Sequence, residues 1–332
     1  MHCLPATPTR KSIVSKVNSQ PARNLKIVPT LKMKQLDNLK SDLERCGYIA
    51  DTGLTTTLYL ADQLKRPVLL EGDAGVGKTA VAQTLAKQRQ CELIRLQCYE
   101  GLDVNTALYE WNYQRQLMAV RIKEQHDVDN NTLETEIFSH DYLLQRPLLQ
   151  AITTPQPAVL LIDEIDRSDD EFEAFLLEVL AEFQITIPEL GTVQATHKPM
   201  VILTSNATRD LSDALRRRCL YHFVDYPSFE KELRILHHQL PDLPNQLAES
   251  VVAFIQRLRQ QNLKKTPGIA ESLDWASALL HMQTTELEQA LPQIEATLGC
   301  LLKTRADREL ADRAWLQQLL EPSKPLTEPG SG

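Results

Sequence analysis

The chain has 332 residues, of which 42% are hydrophobic, 24% are charged and only 5% are aromatic, and its net charge is −8. A chain of this length and composition can hold one large domain or two modest ones with real cores. The acidic balance argues against a nucleic-acid groove as the main binding surface, because phosphate backbones are bound by basic faces.

Cysteine usage and hydropathy favour a cytoplasmic protein. The six cysteines form neither a C-x-x-C pair nor a zinc-like grouping with histidine, so reduced thiols are expected. No apolar run approaches the length of a membrane span, and the N-terminus lacks the apolar stretch of a secretory signal. We therefore expect no transmembrane segment.

The two ends of the chain differ from the rest. Residues 1–36 are polar, carry several lysines and arginines and contain no acidic residue, which predicts a disordered basic tail. The alternatives are an anchor for a partner or a membrane surface, or an organelle-targeting peptide. Residues 322–332 are rich in proline and glycine and are predicted to form a second disordered tail.

The first motif follows a short apolar run that predicts a buried strand. It has the spacing G-x-x-x-x-G-K-T and reads Gly72-Asp73-Ala74-Gly75-Val76-Gly77-Lys78-Thr79. In this pattern the glycines let main-chain N–H groups surround a polyphosphate, Lys78 reaches the β- and γ-phosphates, and Thr79 binds Mg²⁺. A predicted helix over residues 80–87 would point its positive end at the phosphates. The motif predicts a nucleotide site; the alternative is a glycine-rich turn without a ligand.

A second motif ends the fully apolar run 158–162, which predicts a strand covered on both faces. Asp163 and Glu164 follow directly. A carboxylate at this position can orient Mg²⁺ through its water shell, and the next one can polarise the attacking water in phosphoryl transfer. The alternative is that the two carboxylates only end the strand. Beside a phosphate loop, the catalytic interpretation is favoured.

The segment after the second motif predicts a helix and a hairpin. Ser168-Asp169-Asp170-Glu171 reads as a capping box, and apolar residues recur at helical spacing as far as Phe183. Residues 184–194 then predict a hairpin with its loop at Leu190-Gly191.

Alternation of strands and helices predicts an α/β fold with a parallel sheet and helices on both faces. The predicted strands are Val68–Leu70, Leu93–Gln97, Val159–Ile162, Met200–Thr204 and Tyr221–Val224. Beyond about Asp225 the pattern is purely helical. We therefore predict an αβα nucleotide-binding domain over residues 37–226 and a helical domain over residues 227–321.

Together, these features resemble the AAA+ ATPases. Three segments are similar to the MoxR branch of that family: Leu161-Ile162-Asp163-Glu164-Ile165-Asp166-Arg167, Leu211-Ser212-Asp213-Ala214-Leu215-Arg216-Arg217-Arg218-Cys219 and Arg146-Pro147-Leu148-Leu149. The similarity covers roughly Tyr48 to Leu280. It implies a P-loop NTPase core with a five-stranded parallel sheet, followed by an all-helical AAA+ lid domain.

The resemblance assigns two further catalytic residues. Asn206 matches the family's sensor 1, whose amide helps to hold the attacking water; by itself, an asparagine at a strand end is also a good turn residue. Arg218 falls where the family has the arginine finger that reaches a neighbouring subunit's nucleotide. The adjacent Arg217 remains an alternative, and the basic run by itself is also typical of a solvated corner.

One departure from the family concerns sensor 2, an arginine at the start of the lid helix that contacts the γ-phosphate. The corresponding stretch, residues 267–275, contains no basic residue. Lys264 and Lys265 lie just upstream and could substitute, so sensor 2 is left unassigned.

The family also carries an insertion in its second helix and a hairpin before sensor 1. Lys78 and Asp163 lie 85 positions apart, more than one crossover needs, which places the insertion near residues 99–125 and the hairpin near 184–195. In a ring both would face the axis or a partner; alternatively they are solvent loops. Tyr109, Trp111 and Tyr113 would be exposed contacts there, or would cover the sheet edge.

We therefore predict that the protein is a Mg²⁺-dependent ATPase that forms a ring, with six subunits as the expected number. The resemblance implies a chaperone-like remodeller that matures a metalloenzyme or protein complex, often with a von Willebrand A-domain partner. The main alternative is a nucleic-acid motor such as a helicase loader, or a GTP-using restriction-type subunit. A nucleotide-binding structural subunit with little turnover is the third possibility.

Overall fold

The computed structural model describes residues 29–123 and 136–321. The predicted C-terminal tail and residues 1–28 of the predicted N-terminal tail lie outside this part of the chain. The first helix begins at Pro29, so residues 29–36, which the sequence analysis places in the tail, are helical.

The elements follow the predicted alternation. The strands are β1 (Val68–Glu71), β2 (Glu92–Gln97), β3 (Tyr109–Trp111), β4 (Leu143–Gln145), β5 (Ala158–Asp163), β6 (Gln184–Ile187), β7 (Gly191–Gln194), β8 (Met200–Ser205) and β9 (Leu220–Phe223). The helices are α1 (Pro29–Arg45), α2 (Thr52–Leu64), α3 (Lys78–Arg89), α4 (Val104–Leu108), α5 (Tyr113–Lys123), α6 (Pro147–Thr153), α7 (Asp170–Glu182), α8 (Asp213–Arg218), α9 (Phe229–Gln239), α10 (Asn245–Arg259), α11 (Ile269–His281), α12 (Leu291–Thr297), α13 (Arg305–Leu310) and α14 (Arg313–Leu320).

The predicted five-stranded parallel sheet is confirmed, with the strand order β2-β5-β8-β1-β9. Side chains of its inner strands alternate between two buried clusters: Leu69 belongs to one, whereas Val68 and Leu70 belong to the other. This alternation is the period-2 pattern of a strand covered on both faces, which explains the continuous apolar runs in the sequence.

The strand order decides where the functional segments meet. Strand β8 lies between β1 and β5, and all three run in the same direction. Their carboxyl ends therefore share one edge of the sheet, which is where open α/β sheets bind ligands. The loop after β1, the carboxylates at the end of β5 and the asparagine after β8 must all lie at this edge.

The helical region from α9 to α14 has a buried cluster of its own. Its largest side chain, Trp275, is fully buried, donates from Nε1 to Thr297 Oγ1 at 2.9 Å and lies 4.9 Å from the Phe254 ring, centroid to centroid. A second domain requires a hydrophobic core of its own, and this cluster provides one. The domain boundaries at residues 227 and 321 stay a prediction.

The predicted insertion contributes α4, β3 and α5, and β3 pairs with β4 in a small antiparallel sheet. Trp111 is only 7% exposed and packs edge-to-face on Phe138, whereas Tyr113 is 62% exposed. Tyr109 is partly buried against the main core. Of these three aromatic residues, only Tyr113 is a surface residue.

The hairpin predicted at 184–195 is formed by β6 and β7, with a short loop over residues 188–190. Helix α7 before it starts one residue later than the capping-box pattern indicates. Asp169, not Ser168, caps the helix and accepts the Phe172 N–H at 2.8 Å, whereas the Ser168 hydroxyl donates to the Ile165 carbonyl at 2.8 Å. Across residues 29–123 and 136–321, no helix combines the length and hydropathy that a membrane span requires.

Candidate functional site

The phosphate loop connects β1 to α3, and its course depends on glycine. Gly77, the residue before α3, has φ +93°. At Gly72 a Cβ would collide with the Val224 carbonyl of the neighbouring chain segment. The loop therefore lies close to the backbone after β9 and opens the N-terminus of α3 towards a cleft.

Lys78 is buried at the base of this cleft. Its Nζ donates to the carbonyl oxygens of Gly72 and Asp73, both at 2.7 Å, and to Asn206 Oδ1 at 2.8 Å. Burial lowers the pKa of Lys78, while nearby carboxylates, led by Asp166, oppose this shift. An ammonium held by neutral oxygens can exchange them for phosphate oxygens, which are stronger acceptors.

Thr79 and Asp163 lie side by side, as expected of two residues that share a metal ion. Thr79 Oγ1 is 3.0 Å from Asp163 Oδ1. Oδ1 also accepts the Thr204 hydroxyl at 2.5 Å, and Oδ2 pairs with Arg95 Nη2 at 2.5 Å. Asp163 is almost fully buried, so these contacts fix its orientation.

Glu164 follows Asp163 in the left-handed region, with φ +56° and ψ +51°. Its N–H donates to Thr204 Oγ1 at 2.9 Å, so one hydroxyl connects both carboxylate residues. The Glu164 side chain is partly exposed and lies 3.3 Å from Arg167 Nη1. An unusual backbone conformation stabilised in this way aims the carboxylate at the cleft and is typical of functional sites.

Asn206, whose Oδ1 accepts from Lys78, is positioned by a hydrogen bond to Asp166. The Asn206 N–H donates to Asp166 Oδ1 at 3.2 Å, and Thr208 donates to Oδ2 from its N–H at 3.0 Å and its hydroxyl at 2.7 Å. Burial acts to raise the pKa of Asp166, but these hydrogen bonds outweigh it and hold the pKa below its ordinary value. Asp166 is thus an ionised anchor for the loop after β8.

These residues surround one cleft of about 350 Å³. Its lining includes Ala74, Gly75, Gly77, Lys78, Thr79, Asp163, Glu164, Thr204 and Asn206, together with Ile269, Ala270 and Leu273 of α11. The phosphate-loop motif, the Asp163-Glu164 pair and Asn206 are therefore brought together, and the helical region forms the opposite wall.

A smaller cavity of about 130 Å³ adjoins the loop and is lined mainly by apolar side chains. Tyr48, Ile49, Val76, Ile235 and Leu273 contribute, and Leu273 also lines the larger cleft. Such an apolar space beside a polar cleft is suited to the flat ring of a nucleobase.

Arg218 is not part of this cleft within one chain. It is exposed at the end of α8, where its Nη1 donates to the Leu177 carbonyl at 2.9 Å. Arg217 is also exposed, and its side chain has no hydrogen bond or ion pair with any residue in the described ranges. Arg216 forms an ion pair with Glu71, in which Arg216 Nη2 lies 3.0 Å from Glu71 Oε2. Both Arg217 and Arg218 are therefore accessible for contact with another subunit.

Lys264 and Lys265 are exposed and do not line the cleft. Their backbone N–H groups donate to the buried Asp307, at 2.8 and 3.2 Å. They therefore hold the loop before α11, and the geometry does not support either as a substitute for sensor 2.

Several contributors were not found from the sequence. Thr204 lies at the end of a predicted strand and Asp166 within a family motif, and neither was predicted as a site residue. A polar residue at a strand end beside a phosphate loop is nevertheless a usable signal. Arg95 reaches Asp163 from the neighbouring strand, and the apolar cavity combines four distant segments. No local pattern indicates either arrangement.

The Thr204 hydroxyl is expected to matter for stability because it bonds both to the buried Asp163 carboxylate and to the Glu164 main chain. Thr204→Val should leave the Glu164 N–H without an acceptor and lower the free energy of unfolding by about 1–3 kcal/mol. Urea titration measures this change. Thr57→Val is the control, because the Thr57 hydroxyl is exposed and bonds only to a helical carbonyl. Equal shifts for the two variants would contradict the bridging role.

Comparison with known families finds a match over this part of the chain. Residues 67–219 match the family described as AAA domain (dynein-related subfamily). This range begins just before β1 and ends between α8 and β9, and it contains every predicted nucleotide-contacting and catalytic residue.

Among curated proteins, the chain is similar to gas vesicle ATPases. GvpN of Haloferax mediterranei is 25% identical over 205 residues, covering 59% of this chain and 57% of that protein. GvpN2 of Halobacterium salinarum is 25% identical over 255 residues, covering 74% and 71%. YeaC of Bacillus subtilis, an uncharacterised protein, is 27% identical over 218 residues, covering 62% and 59%. The chain thus matches little more than half of GvpN, and the MoxR assignment stays a prediction.

Among solved structures, the RuvB Holliday junction branch migration motor of Thermotoga maritima aligns with this fold. The TM-score is 0.43 at 17% identity, and the alignment covers 84% of this chain and 72% of that chain. A likeness at this level does not bear on activity.

Proposed function

With an AAA domain over residues 67–219 as the premise, we propose that the chain is a Mg²⁺-dependent ATPase. The observation that carries the proposal is the convergence of Lys78, Thr79, Asp163, Glu164 and Asn206 on one cleft. These are the side-chain types that phosphoryl transfer needs, because it depends on positioning and charge stabilisation more than on covalent chemistry.

The donor set fits Mg²⁺. This ion prefers oxygen ligands and is usually bound by one or two carboxylates together with phosphates and water. Thr79 Oγ1 and Asp163 Oδ1, 3.0 Å apart at the mouth of the loop, meet that description. When bound there, Mg²⁺ would neutralise phosphate charge. Arg95 would then have to share or release Asp163 Oδ2.

The remaining residues act on the triphosphate and on water. Lys78 exchanges its carbonyl partners for phosphate oxygens. Glu164 accepts a hydrogen bond from the attacking water and takes up its proton as the oxygen attacks the γ-phosphate, and the Asn206 amide helps to hold that water in line. The apolar cavity lined by Tyr48 and Val76 takes the nucleobase. These roles are proposals supported by the geometry of the cleft.

Lys78→Ala should weaken ATP binding by about 100-fold or more, because several charge-assisted hydrogen bonds to phosphate are lost. Calorimetric titration with ATP and Mg²⁺ measures the effect. Lys87→Ala in the last turn of the same helix is the matched control, since Lys87 is exposed and outside the cleft. Normal ATP affinity in Lys78→Ala would remove the phosphate-loop argument.

We further propose that the active form is a ring of MoxR type, taken as a hexamer, that remodels client proteins. The similarity to proteins named gas vesicle ATPases supports the ATPase part of this proposal. Helix α5 adds support as a contact surface, because Tyr113, Leu117, Met118 and Ile122 are each more than half exposed. Maturation of a metalloenzyme or another complex, with a von Willebrand A-domain partner, is the specific form proposed.

ATPase measurements with added macromolecules test this function. The proposal predicts turnover that rises with a protein client or partner, captured by pull-down on the Glu164→Gln variant in ATP. Stimulation by DNA that disappears at high salt would instead favour a nucleic-acid motor. A preference for GTP would favour a restriction-type subunit. Tight binding with no turnover under any condition would indicate a structural nucleotide-binding subunit.

A further inference from the structure

The start of α11 lies directly on the phosphate loop, and its closest approach to the loop is between main-chain atoms. The Ile269 N–H donates to the Gly75 carbonyl at 2.9 Å. A Cβ on Gly268 would lie 2.7 Å from both the Cα and the carbonyl oxygen of Gly75, closer than real Cβ atoms approach backbone. The two segments can meet this closely because both positions are glycine.

A buried ion pair lies immediately behind this contact. Glu232 of α9 is fully buried, and Arg259 of α10 is 6% exposed at its side chain. Nη1 and Nη2 of Arg259 each donate to the Glu232 carboxylate at 2.7 Å. Gln256 Nε2 and Ser272 Oγ donate to the same carboxylate, also at 2.7 Å. The acceptor positions of this carboxylate are filled, as a buried charge requires.

Arg259 also contacts two chain segments beyond the ion pair, one that leads to the phosphate loop and one that leads from the sheet to α9. Its Nε donates to the Pro267 carbonyl at 2.9 Å, directly before Gly268. Its guanidinium lies 4.9 Å from the ring centroid of Tyr226, the residue that connects the sheet to α9. Only a planar arginine fork can serve the carboxylate, the carbonyl and the aromatic ring together.

We propose that Arg259 is a positioning residue that holds Gly268 against Gly75, and that this glycine contact couples nucleotide in the cleft to the position of the helical region. The inference rests on the proposed nucleotide-binding function. It accounts for a stretch, residues 267–275, that has no basic side chain yet forms one wall of the cleft. Coupling passes through backbone contact instead of a cation on the phosphate.

Gly268→Ala tests the contact itself. Gly268 has φ −86°, which alanine adopts without strain, so the added methyl group disturbs only the approach to Gly75. We expect fluorescent ADP to dissociate about tenfold faster in stopped-flow measurements, because one wall of its site is displaced. Hydrogen exchange of residues 267–273 in the nucleotide-free chain should also become faster.

Gly299→Ala is the matched control in the same helical region. A Cβ there would meet only Arg308 Nη1, at 4.0 Å, so both readouts should stay at wild-type values. If Gly268→Ala released ADP at the wild-type rate and kept wild-type exchange over residues 267–273, the proposal would be overturned.

Arg259→Lys tests the positioning residue. Lysine keeps the charge but loses the bidentate fork and the bond to Pro267, so exchange and ADP release should again rise. Arg257→Lys is its control on the same helix, because Arg257 donates to the Leu319 carbonyl in α14, away from the loop. Equal behaviour of these two variants would contradict the role of Arg259.

The exchange measurement needs no nucleotide, which separates two kinds of failure. A wild-type chain that bound no ADP would refute the proposed function. A wild-type chain that bound ADP normally, with Gly268→Ala unchanged in both readouts, would refute only this coupling.

Discussion

Glu164→Gln is expected to bind ATP with near-normal affinity and to hydrolyse it about 10²–10⁴-fold more slowly, the range typical of a lost general base. The amide keeps the shape of the side chain but cannot accept a proton from the attacking water. Stability should change little, because Glu164 is partly exposed and its backbone bond to Thr204 is retained. Steady-state phosphate release and calorimetric titration give the two quantities.

Glu182→Gln, at the exposed end of α7, is the control for this substitution and should have wild-type turnover. The assignment of Glu164 is wrong if its glutamine variant hydrolyses ATP at the wild-type rate. Loss of ATP binding in that variant would show instead that Glu164 supports the cleft and not the chemistry.

Arg218→Ala is expected to lower turnover by about 10³-fold in the assembled ring, as arginine fingers do in related phosphoryl-transfer enzymes. ATP affinity of the isolated subunit should be unchanged, because Arg218 does not line its own cleft. The matched variant is Arg217→Ala, which removes the neighbouring exposed cation. Whichever of the two variants loses turnover identifies the finger.

Mixing experiments then test action between subunits. Lys78→Ala subunits lack a working phosphate loop but retain Arg218, and Arg218→Ala subunits have the opposite defect. Mixed rings should regain part of the activity, because some interfaces combine the two intact parts. Mixtures that stay as inactive as either variant alone would count against action in trans.

The sheet and the phosphate side of the cleft were predictable because their signals are local. The loop motif lies between an apolar strand and a helix, and parallel strands bring their carboxyl ends to one edge. Asp163 was predicted beside the loop from its position at the end of a buried strand, whereas Asn206 was assigned from the family resemblance. The strand order, with β8 between β1 and β5, brings both near Lys78. The hydrogen bond from Lys78 to Asn206, at 2.8 Å, is the structural result.

Other features depend on tertiary contacts that no local pattern encodes. The first helix extends eight residues into the predicted tail; farther along it, Leu43 is fully buried and Leu39 packs against the same core. The contact between Gly75 and Gly268 joins segments far apart in the chain. The link from Arg95 to Asp163 depends on which strands are neighbours, which spacing alone does not reveal.

The central claim is that a triphosphate with Mg²⁺ occupies the cleft between the phosphate loop and α11. A crystal structure with a non-hydrolysable ATP analogue and Mg²⁺ tests it most directly. We expect Lys78 Nζ on the β- and γ-phosphates, the metal ion between Thr79 and Asp163, and the base in the apolar cavity beside Tyr48. A cleft that remains empty at saturating analogue, or an analogue bound elsewhere, would contradict the account.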